Sequence, residues 1–302
     1  MTGPIEGLLL VDKPSGPTSH DVVDRVRRVS GERRVGHAGT LDPAATGLLP
    51  VALGRATRLI RFLPASPKAY EGTLRLGIST TTDDLEGKPL ARHEGAPPSA
   101  EEVLRAASGF RGRMLQIPPG VSARRVGGQR LYRLARRGAK VDAPPAEIEV
   151  LRFDLSREAD DLTWRFVAEV SAGTYVRALA RDLGAALGCG AAVASLRRIA
   201  IGPLRVESAI SLEGLESSGR EGLERAVVPL DRMPLEAPAV ALEGDAACAR
   251  FRAGIAVPSP PGAPDEGIVA VVSPAGEMLG IGSAGGGVVR PKVVLAPREA
   301  RS

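Results

Sequence analysis

The sequence predicts a mixed α+β protein with a separate, small β domain at its C-terminal end. Strand-like and helix-like hydrophobic patterns alternate through the first 235 residues. After a proline-punctuated segment at 231–238, only short strand-like runs remain, and Gly and Pro turns separate them. A chain of 302 residues is long enough for one large domain and a smaller one. We therefore assign residues 1–235 to the main domain and 236–302 to the small β domain.

The first elements of the main domain have clear boundaries. The apolar run Gly7–Val11 predicts a buried strand, which Pro14 and Gly16 end. A helix capped by Thr18 or Ser19 follows, because valines recur there at helical spacing, at Val22, Val23, Val26 and Val29. The apolar segment Leu48–Leu53 then leads into a helical stretch with arginines at 55, 58 and 61.

The middle of the chain alternates between strand and helix signals. A strand is predicted over Tyr70–Ile78, followed by a Thr- and Asp-rich loop over Ser79–Gly87. Residues 88–150 form a proline-punctuated insertion with helices near Ala100–Ser108 and Leu131–Arg137.

Two further elements complete the main domain. The alternation of Trp164, Phe166, Ala168 and Val170 predicts a strand. A helix follows with Val176, Leu179, Ala180, Leu183 and Leu187 on its apolar side, and Gly188 ends it. In the tail we predict strands over Gly267–Val272, Met278–Gly282 and Val288–Leu295.

Composition excludes several classes of protein. No apolar run approaches the roughly 20 residues that span a bilayer, and the N-terminus lacks the pattern of a secretory signal. Two cysteines and three scattered histidines form neither a disulfide framework nor a metal-ligand spacing. We expect a cytoplasmic protein without a metal, a cofactor or a membrane partner.

The charge distribution indicates a polyanionic partner. The chain carries a net charge of +5, and between residues 103 and 141 it has ten basic residues and no acidic one. Such a stretch is typical of a surface that contacts a phosphate backbone. Its alternative is a solvated face in an arginine-biased protein, although that bias does not explain the missing acids. The members of this stretch that we expect to contact RNA are Arg124, Arg125, Arg130, Arg133, Arg136, Arg137 and Lys140.

The most informative segment is the loop Gly36–Leu48, which surrounds a single acid, Asp42. Pro43 restricts the backbone of Asp42 to extended conformations and fixes the next φ angle. Gly39 and Gly47 flank the acid and allow a positive φ or a close approach of another chain. The alternative is an Asx turn, in which Asp42 only caps its own backbone.

Four separate segments resemble the bacterial tRNA pseudouridine-55 synthase family, the TruB family. Together they span most of residues 7–204, and the Asp42 loop is the most specific of them. In chain order they are Leu10–Pro14 with Thr18-Ser19, Gly36–Leu48, Lys68-Ala69-Tyr70, and Gly173–Gly184 with Leu196-Arg197-Arg198. All four in this order make a chance match a poor explanation.

The resemblance implies a role for each matching residue. Asp42 resembles the essential carboxylate, Arg177 its ion partner, and Tyr70 the residue that stacks on the target base. Without the family, Arg177 is equally typical of a surface arginine. His37 resembles the residue that stacks in the space left by the flipped nucleotide, although a lone histidine is more often structural. Tyr175 and Leu196 resemble pocket walls, with core packing as the alternative, and Lys13 either contacts RNA phosphate or supports the loop.

The resemblance also implies a fold, a substrate and a domain organisation. We expect a largely antiparallel sheet with flanking helices, an active site in a cleft across it, and a basic insertion that clamps the T-arm of tRNA. The tail resembles a PUA-type RNA-binding domain, with a plain β-barrel appendage as the alternative. One departure from the family pattern is Val121, where an aromatic residue usually precedes Ser122-Ala123.

The implied reaction converts uridine to pseudouridine in the T-loop. The N1–C1′ bond breaks, the base rotates, and C5 bonds to C1′; Asp42 either attacks C1′ or deprotonates C2′. No cofactor is needed, and we expect a monomer. Three alternatives remain: a non-catalytic tRNA-binding or RNA-folding protein, a guide-dependent relative acting on ribosomal RNA, and a small-molecule phosphate enzyme, which lacks a Walker or Rossmann motif here.

Overall fold

The computed structural model describes residues 3–120, 125–126, 129–130 and 144–295, and for 125–126 and 129–130 it describes the backbone alone. The strands in this part of the chain are β1 Gly7–Lys13, β2 Val35–His37, β3 Thr46–Leu53, β4 Lys68–Leu76, β5 Ile78–Thr80, β6 Pro89–Arg92, β7 Gly112–Gln116, β8 Arg125–Val126, β9 Gln129–Arg130, β10 Ala146–Arg157, β11 Thr163–Val170, β12 Ala191–Ile201, β13 Leu204–Arg205, β14 Ile210–Ser211, β15 Ala239–Ala241, β16 Val257–Pro258, β17 Gly267–Val272, β18 Met278–Gly285 and β19 Val288–Val294. The α-helices there are α1 Ser19–Ser30, α2 Ala100–Ser108, α3 Val176–Ala186, α4 Leu212–Ala226 and α5 Gly244–Arg252, and 3₁₀ helices cover Gly54–Phe62, Val206–Ser208 and Leu230–Arg232.

A large mixed sheet organises the main domain. Its strand order is β14-β1-β3-β12-β4-β11-β10-β7, with β2 added to β3 and β13 added to β12. Pairing is antiparallel except between β1 and β14 and between β3 and β12. The parallel pair β3/β12 brings the end of the Asp42 loop against Arg197 and Arg198, because Thr46 and Gly47 are their register partners.

Both faces of the central strands are buried, which explains the continuous apolar run at the start of the chain. Leu9 and Val11 pack into a core that includes helices α1, α3 and α4, while Leu8 and Leu10 face a second core on the other side of the sheet. A strand that is buried on both faces has no need for polar residues at alternate positions.

The C-terminal residues form a second, five-stranded sheet in the order β15-β17-β18-β19-β16. Helix α5 packs on it through Phe251, in a cluster with Val269 and Leu279. The other side of this sheet contributes Met278 and Ile281 to the core that contains Leu8 and Leu10 of the large sheet. The small domain is therefore joined to the main domain through apolar side chains.

The structure refines two of the predicted elements. The helical stretch with Arg55, Arg58 and Arg61 is a 3₁₀ helix. The strand predicted over Tyr70–Ile78 is divided at Gly77, where a φ of +82° breaks the extended backbone between β4 and β5. The second predicted helix, near Leu131–Arg137, lies outside the described residues.

Candidate active site

The Asp42 loop is held by hydrogen bonds on either side of the acid. Ser19, in the first turn of α1, donates from Oγ to the carbonyl of Leu41 (3.1 Å) and accepts from its amide (2.9 Å). On the other side, the carbonyl of Pro43 accepts from the ammonium of Lys13 (3.0 Å). Because the neighbours of Asp42 are fixed in this way, its carboxylate has a defined position relative to the sheet.

Arg198 holds the two ends of the same loop together. Its guanidinium is 1% exposed and donates to the carbonyls of Gly39 (2.8 Å), Thr40 (3.3 Å) and Leu48 (2.9 Å). A Cβ at Gly47 would lie 2.2 Å from the carbonyl oxygen of Arg198, and Gly47 has a φ of +100°. Only glycine fits at this contact without a shift of the backbone.

Arg177 is the ion partner of Asp42. It is the second residue of α3, its Nη2 lies 2.9 Å from Oδ2 of Asp42, and its side chain is 6% exposed, against 44% for the carboxylate. The guanidinium also donates to the carbonyl of Thr82 (2.5 Å) and lies 3.6 Å from Oδ2 of Asp84. A buried and well-anchored guanidinium therefore orients a carboxylate that remains open to a substrate.

Asp84 is a site residue that the sequence analysis did not single out. It lies in the Thr- and Asp-rich loop and is held by the hydroxyl of Thr82, 2.5 Å from Oδ1. The adjacent Asp83 has a positive φ of 62° and pairs with Arg181 of α3 at 3.2 Å. Burial raises the pKa of Asp83, and the nearby arginines oppose that shift. The only indication in the sequence that this loop contributes to the site was its high content of Asp and Thr between two strands.

A cavity of about 220 Å³ opens beside the carboxylate. Five of the predicted site residues line it: Asp42, Tyr70, Tyr175, Arg177 and Leu196. The remaining lining residues are Thr40, Leu41, Ala45, Lys68, Gly173, Thr174 and Val176. Pockets for drug-sized ligands measure about 300–1,000 Å³, so this cavity suits a single base or nucleoside. A second cavity of about 110 Å³ shares Asp42, Arg177 and Leu196 with the first and is also lined by Asp84 and Leu85.

Two predicted residues, Lys13 and His37, do not line this cavity. The Lys13 side chain is fully buried and donates to the carbonyls of Pro14 (2.8 Å) and Pro43, so it supports the loop and does not reach RNA phosphate. Burial lowers the pKa of Lys13 to about 8, against the opposing effect of Asp42. His37 ends β2 and makes an edge contact with the ring of His20, with centroids 5.9 Å apart.

Most of the predicted RNA-contacting stretch lies outside the described residues. This applies to Arg124, Arg133, Arg136, Arg137 and Lys140, and to the departure at Val121. Arg125 and Arg130 belong to the short β8–β9 hairpin, of which only the backbone is described.

The segment that enters this stretch is fixed beside the cavity. Gln116, at the end of β7, donates to the carbonyl of Tyr175 (3.1 Å) and accepts from its amide (2.9 Å). The chain just before the basic residues from Arg124 onward is therefore tied to the residue that precedes α3 and lines the cavity.

The arrangement is suited to chemistry by a single carboxylate. Asp42 can bond to an electrophilic carbon or accept a proton, while Arg177 keeps it aligned. Within the ranges that the structure describes, no group of three or more His, Cys, Asp or Glu side chains is placed to hold a metal ion. No helix in those ranges is long and apolar enough to cross a membrane.

Three family models match consecutive parts of the chain. The N-terminal domain of the TruB family pseudouridylate synthases matches residues 27–176, the tRNA pseudouridylate synthase B C-terminal domain matches residues 177–234, and the C-terminal domain of pseudouridine synthase II TruB matches residues 238–295. These ranges include the Asp42 loop, the Arg177 helix and the C-terminal sheet.

Curated relatives are similar over nearly the whole length. The tRNA pseudouridine synthase B of Synechococcus elongatus is 44% identical over 297 residues, which cover 96% of this chain and 98% of the relative. The protein of the same name from Thermobifida fusca is 43% identical over 298 residues, covering 96% and 99%.

A solved structure shares the fold. A chain in the crystal structure of a Cbf5-Nop10-Gar1 complex is similar to this one with a TM-score of 0.73 and 28% sequence identity, over 97% of this chain and 85% of that chain. The predicted mixed α+β class, with a large sheet and a small C-terminal β domain, is thereby confirmed.

Proposed function

The chain belongs to the TruB family of pseudouridylate synthases and has tRNA pseudouridine synthase B activity, and from this we propose that its Asp42 cavity isomerises the uridine at position 55, in the T-loop of tRNA. The observation that carries the proposal is the Asp42–Arg177 ion pair of 2.9 Å at a base-sized cavity. A half-exposed carboxylate held by a buried guanidinium is suited to a reaction in which charge develops at the sugar.

Asp42 is the reacting group in this proposal. Breaking the N1–C1′ bond makes the sugar carbon electron-poor, and a carboxylate there either bonds to C1′ or takes a proton from C2′. Arg177 contacts Asp42 and keeps it in position, so it acts as a positioning residue for the first step. Its other contacts, to Thr82 and Asp84, prevent it from following the carboxylate if that moves.

The aromatic and apolar walls would hold the base. Tyr70 is 7% exposed at the cavity and offers a ring face on which uracil can stack, while Leu196 and Tyr175 close the sides. A stacked loop uridine does not present both C1′ and C5 to one carboxylate, so the nucleotide must be extruded. Unstacking costs about a few kcal/mol, which contacts to phosphate and base must offset.

The remaining parts of the chain would bind the RNA outside the cavity. We assign the clamp on the T-arm to the basic insertion within residues 88–150, which is tied to the cavity by the Gln116–Tyr175 contact. The domain of residues 236–302 would extend the RNA surface as a PUA-like module beside the catalytic domain of residues 1–235. His37 would fill the space left by the extruded nucleotide, and the enzyme would act as a monomer.

Position-specific tritium release tests the proposal. A tRNA transcript labelled with tritium at C5 of uridine loses its label wherever C5 bonds to C1′. We expect the chain to release one tritium per tRNA from the unmodified transcript and none from a transcript in which C replaces U55. Release that persists without U55 would show that another uridine is the substrate. Absence of release from both transcripts, despite binding, would contradict the proposal for tRNA position 55.

A further inference from the structure

The cationic side chains around the catalytic loop include Arg177, Lys13, Arg198 and Lys68, and the first three are engaged with protein groups. Arg177 binds Asp42 and the carbonyl of Thr82. The ammonium of Lys13 donates to two carbonyls, and the guanidinium of Arg198 donates to three. Lys13 and Arg198 do not line the cavity. The fourth cation, Lys68, lines the cavity, and no described protein group forms an ion pair or hydrogen bond with its ammonium.

Lys68 lies in the wall of the cavity, beside Tyr70. It begins β4 two residues before Tyr70, so the two side chains leave the strand on the same face, and both line the cavity with Asp42. Among the residues that the structure describes, no carboxylate or carbonyl makes an ion pair or hydrogen bond with its ammonium. Burial lowers the pKa of Lys68, and the positive charge of Arg198 lowers it further.

A half-buried ammonium without a counter-ion is costly, because the cavity wall replaces part of its hydration. Uncompensated charges of this kind are typical of sites where the substrate supplies the missing charge. Asp42 does not provide compensation, since its carboxylate is paired with Arg177. We therefore expect the substrate to supply a negative charge close to the Lys68 ammonium, next to the Tyr70 ring on which the base would stack.

The reaction produces such a charge on the base. When the N1–C1′ bond breaks heterolytically, its electron pair stays on uracil and is shared by N1, O2 and O4. Asp42 compensates the electron deficiency that develops at C1′ of the sugar, either by bonding to C1′ or by taking the C2′ proton. C5 then bonds to C1′ as the Asp42–C1′ bond breaks or, on the other route, as Asp42 returns its proton to C2′. C5 loses its proton to solvent, and N1 gains one. The negative charge thus exists only while the base is detached.

We propose that Lys68 is a catalytic residue that stabilises the negative charge on the detached uracil, an inference that rests on the function proposed above. Its position beside Tyr70 puts the ammonium near the edge of a base stacked on that ring. An interaction that exists only in the transition state and intermediate raises the rate constant and leaves substrate affinity unchanged. Lys68 is thereby distinguished from the arginines that bind the RNA backbone.

The first test compares Lys68→Met with wild type under single-turnover conditions. We expect tritium release to slow by roughly a hundredfold, as for loss of one preorganised electrostatic group, with an unchanged Kd for tRNA. Arg225→Met removes an exposed cation near the end of α4, which does not line the cavity, and is expected to keep the wild-type rate. A Lys68→Met rate equal to wild type would overturn the proposal.

A weaker tRNA affinity with an unchanged rate constant would also overturn it. Lys68 would then be a contact to RNA phosphate, and the salt dependence of binding would become shallower in the variant. An inactive wild type would contradict the proposed function instead, so the two failures are distinguishable.

The second test uses pH and remains decisive if Lys68→Met does not fold. In Lys68→Arg the charge is permanent, because a guanidinium does not deprotonate in the accessible range. We expect the wild-type rate to fall at alkaline pH as Lys68 loses its proton, and the Lys68→Arg rate to fall only at higher pH. The other titratable groups at the cavity are Asp42, Tyr70, Tyr175 and Arg177, with Arg198 and Lys13 behind it. All are present in both proteins, including the Lys13 ammonium with its pKa of about 8, so the difference between the two pH profiles reports Lys68. The same alkaline decline in both proteins would overturn the proposal.

Discussion

Lys13 illustrates how a single residue of the family motif acts through the loop. Its side chain is buried at the end of β1, and its ammonium holds the carbonyl of Pro43, next to the catalytic acid. Desolvation lowers its pKa from 10.5 to about 8, although Asp42 and Asp21 favour the charged form. At neutral pH the lysine is still protonated, so the loop is fixed by a charge that is costly to bury.

This shifted pKa predicts a pH dependence of stability. Between pH 8 and 10.5 the folded state binds fewer protons at Lys13 than the unfolded state, so the free energy of unfolding rises with pH in that window. Over the whole window the gain is up to about 3 kcal/mol. Urea unfolding of wild type and Lys13→Met at pH 7.5 and 10 would measure it, since the variant lacks this dependence. Equal changes in both proteins would contradict the assignment.

At the scale of elements, the active site depends on the junction between β3 and β12. Gly47 of β3 is a register partner of Arg198, whose side chain turns back to hold Gly39 and Thr40. Three contacts from one buried residue thus join the catalytic loop to the strand that also carries Leu196 of the cavity.

The glycine at this junction gives a prediction about stability. Gly47→Ala puts a Cβ 2.2 Å from the Arg198 carbonyl oxygen at a φ of +100°. We expect it to lower the free energy of unfolding by more than about 3 kcal/mol, because strain and backbone displacement add. Gly276→Ala is the matched control, with a φ of +85° and open space around the Cβ; it should cost about 1–2 kcal/mol. Similar losses in both variants, measured by urea unfolding, would show that the close approach is unimportant.

The sequence predicted those helices and strands whose formation depends on neighbouring residues, such as a capping residue or an alternating hydrophobic pattern. Helix α1 has its cap at Thr18 with a full capping box, and the alternation around Trp164 matches β11. The strand β12 was missed, since Leu196, Arg197 and Arg198 follow no period of two; its arginines are used for contacts within the fold.

The same distinction applies to the site. The resemblance to the family supplied Asp42, Tyr70 and Arg177, and the structure brings them to one cavity. Apart from the Asp42–Arg177 pair, it did not supply the partners of these residues, because they depend on contacts between distant segments. Asp84 reaches Arg177 through the fold of the β5–β6 loop. That Lys68 has no ion pair or hydrogen bond from its ammonium within the described part of the chain is visible only when its surroundings are known.

At the scale of the whole molecule, the two sheets share a hydrophobic core. Met278 and Ile281 of the C-terminal sheet pack in the same cluster as Leu8 and Leu48 of the catalytic sheet. Arg55 adds a hydrogen bond to the carbonyl of Leu295 at 3.3 Å. Domains joined by apolar packing of this kind are expected to unfold together, unlike domains connected only by a linker.

Because the two domains share a hydrophobic core, a destabilising substitution in the small domain is expected to lower the stability of the catalytic domain. The single tryptophan, Trp164, is buried in the catalytic domain and reports its unfolding by fluorescence. Ile281→Ala is expected to lower the midpoint of the Trp164 transition, with a loss of about 2–5 kcal/mol. Ile268→Ala, at an exposed position of the same small sheet, should leave the midpoint nearly unchanged. An unchanged midpoint of the Trp164 transition in Ile281→Ala would mean that the domains unfold independently.

Asp42 is the residue on which the proposed chemistry depends, and a single substitution tests its role. Wild type and Asp42→Asn are compared for tritium release from the uridine-labelled tRNA under single-turnover conditions, together with their affinity for that tRNA. The amide has nearly the same size as the carboxylate but neither its charge nor its basicity. We expect release by wild type, none by Asp42→Asn, and retained tRNA binding; Asp24→Asn, at an exposed position on α1, should behave as wild type. Release by Asp42→Asn at the wild-type rate would place the chemistry on another residue and contradict the account.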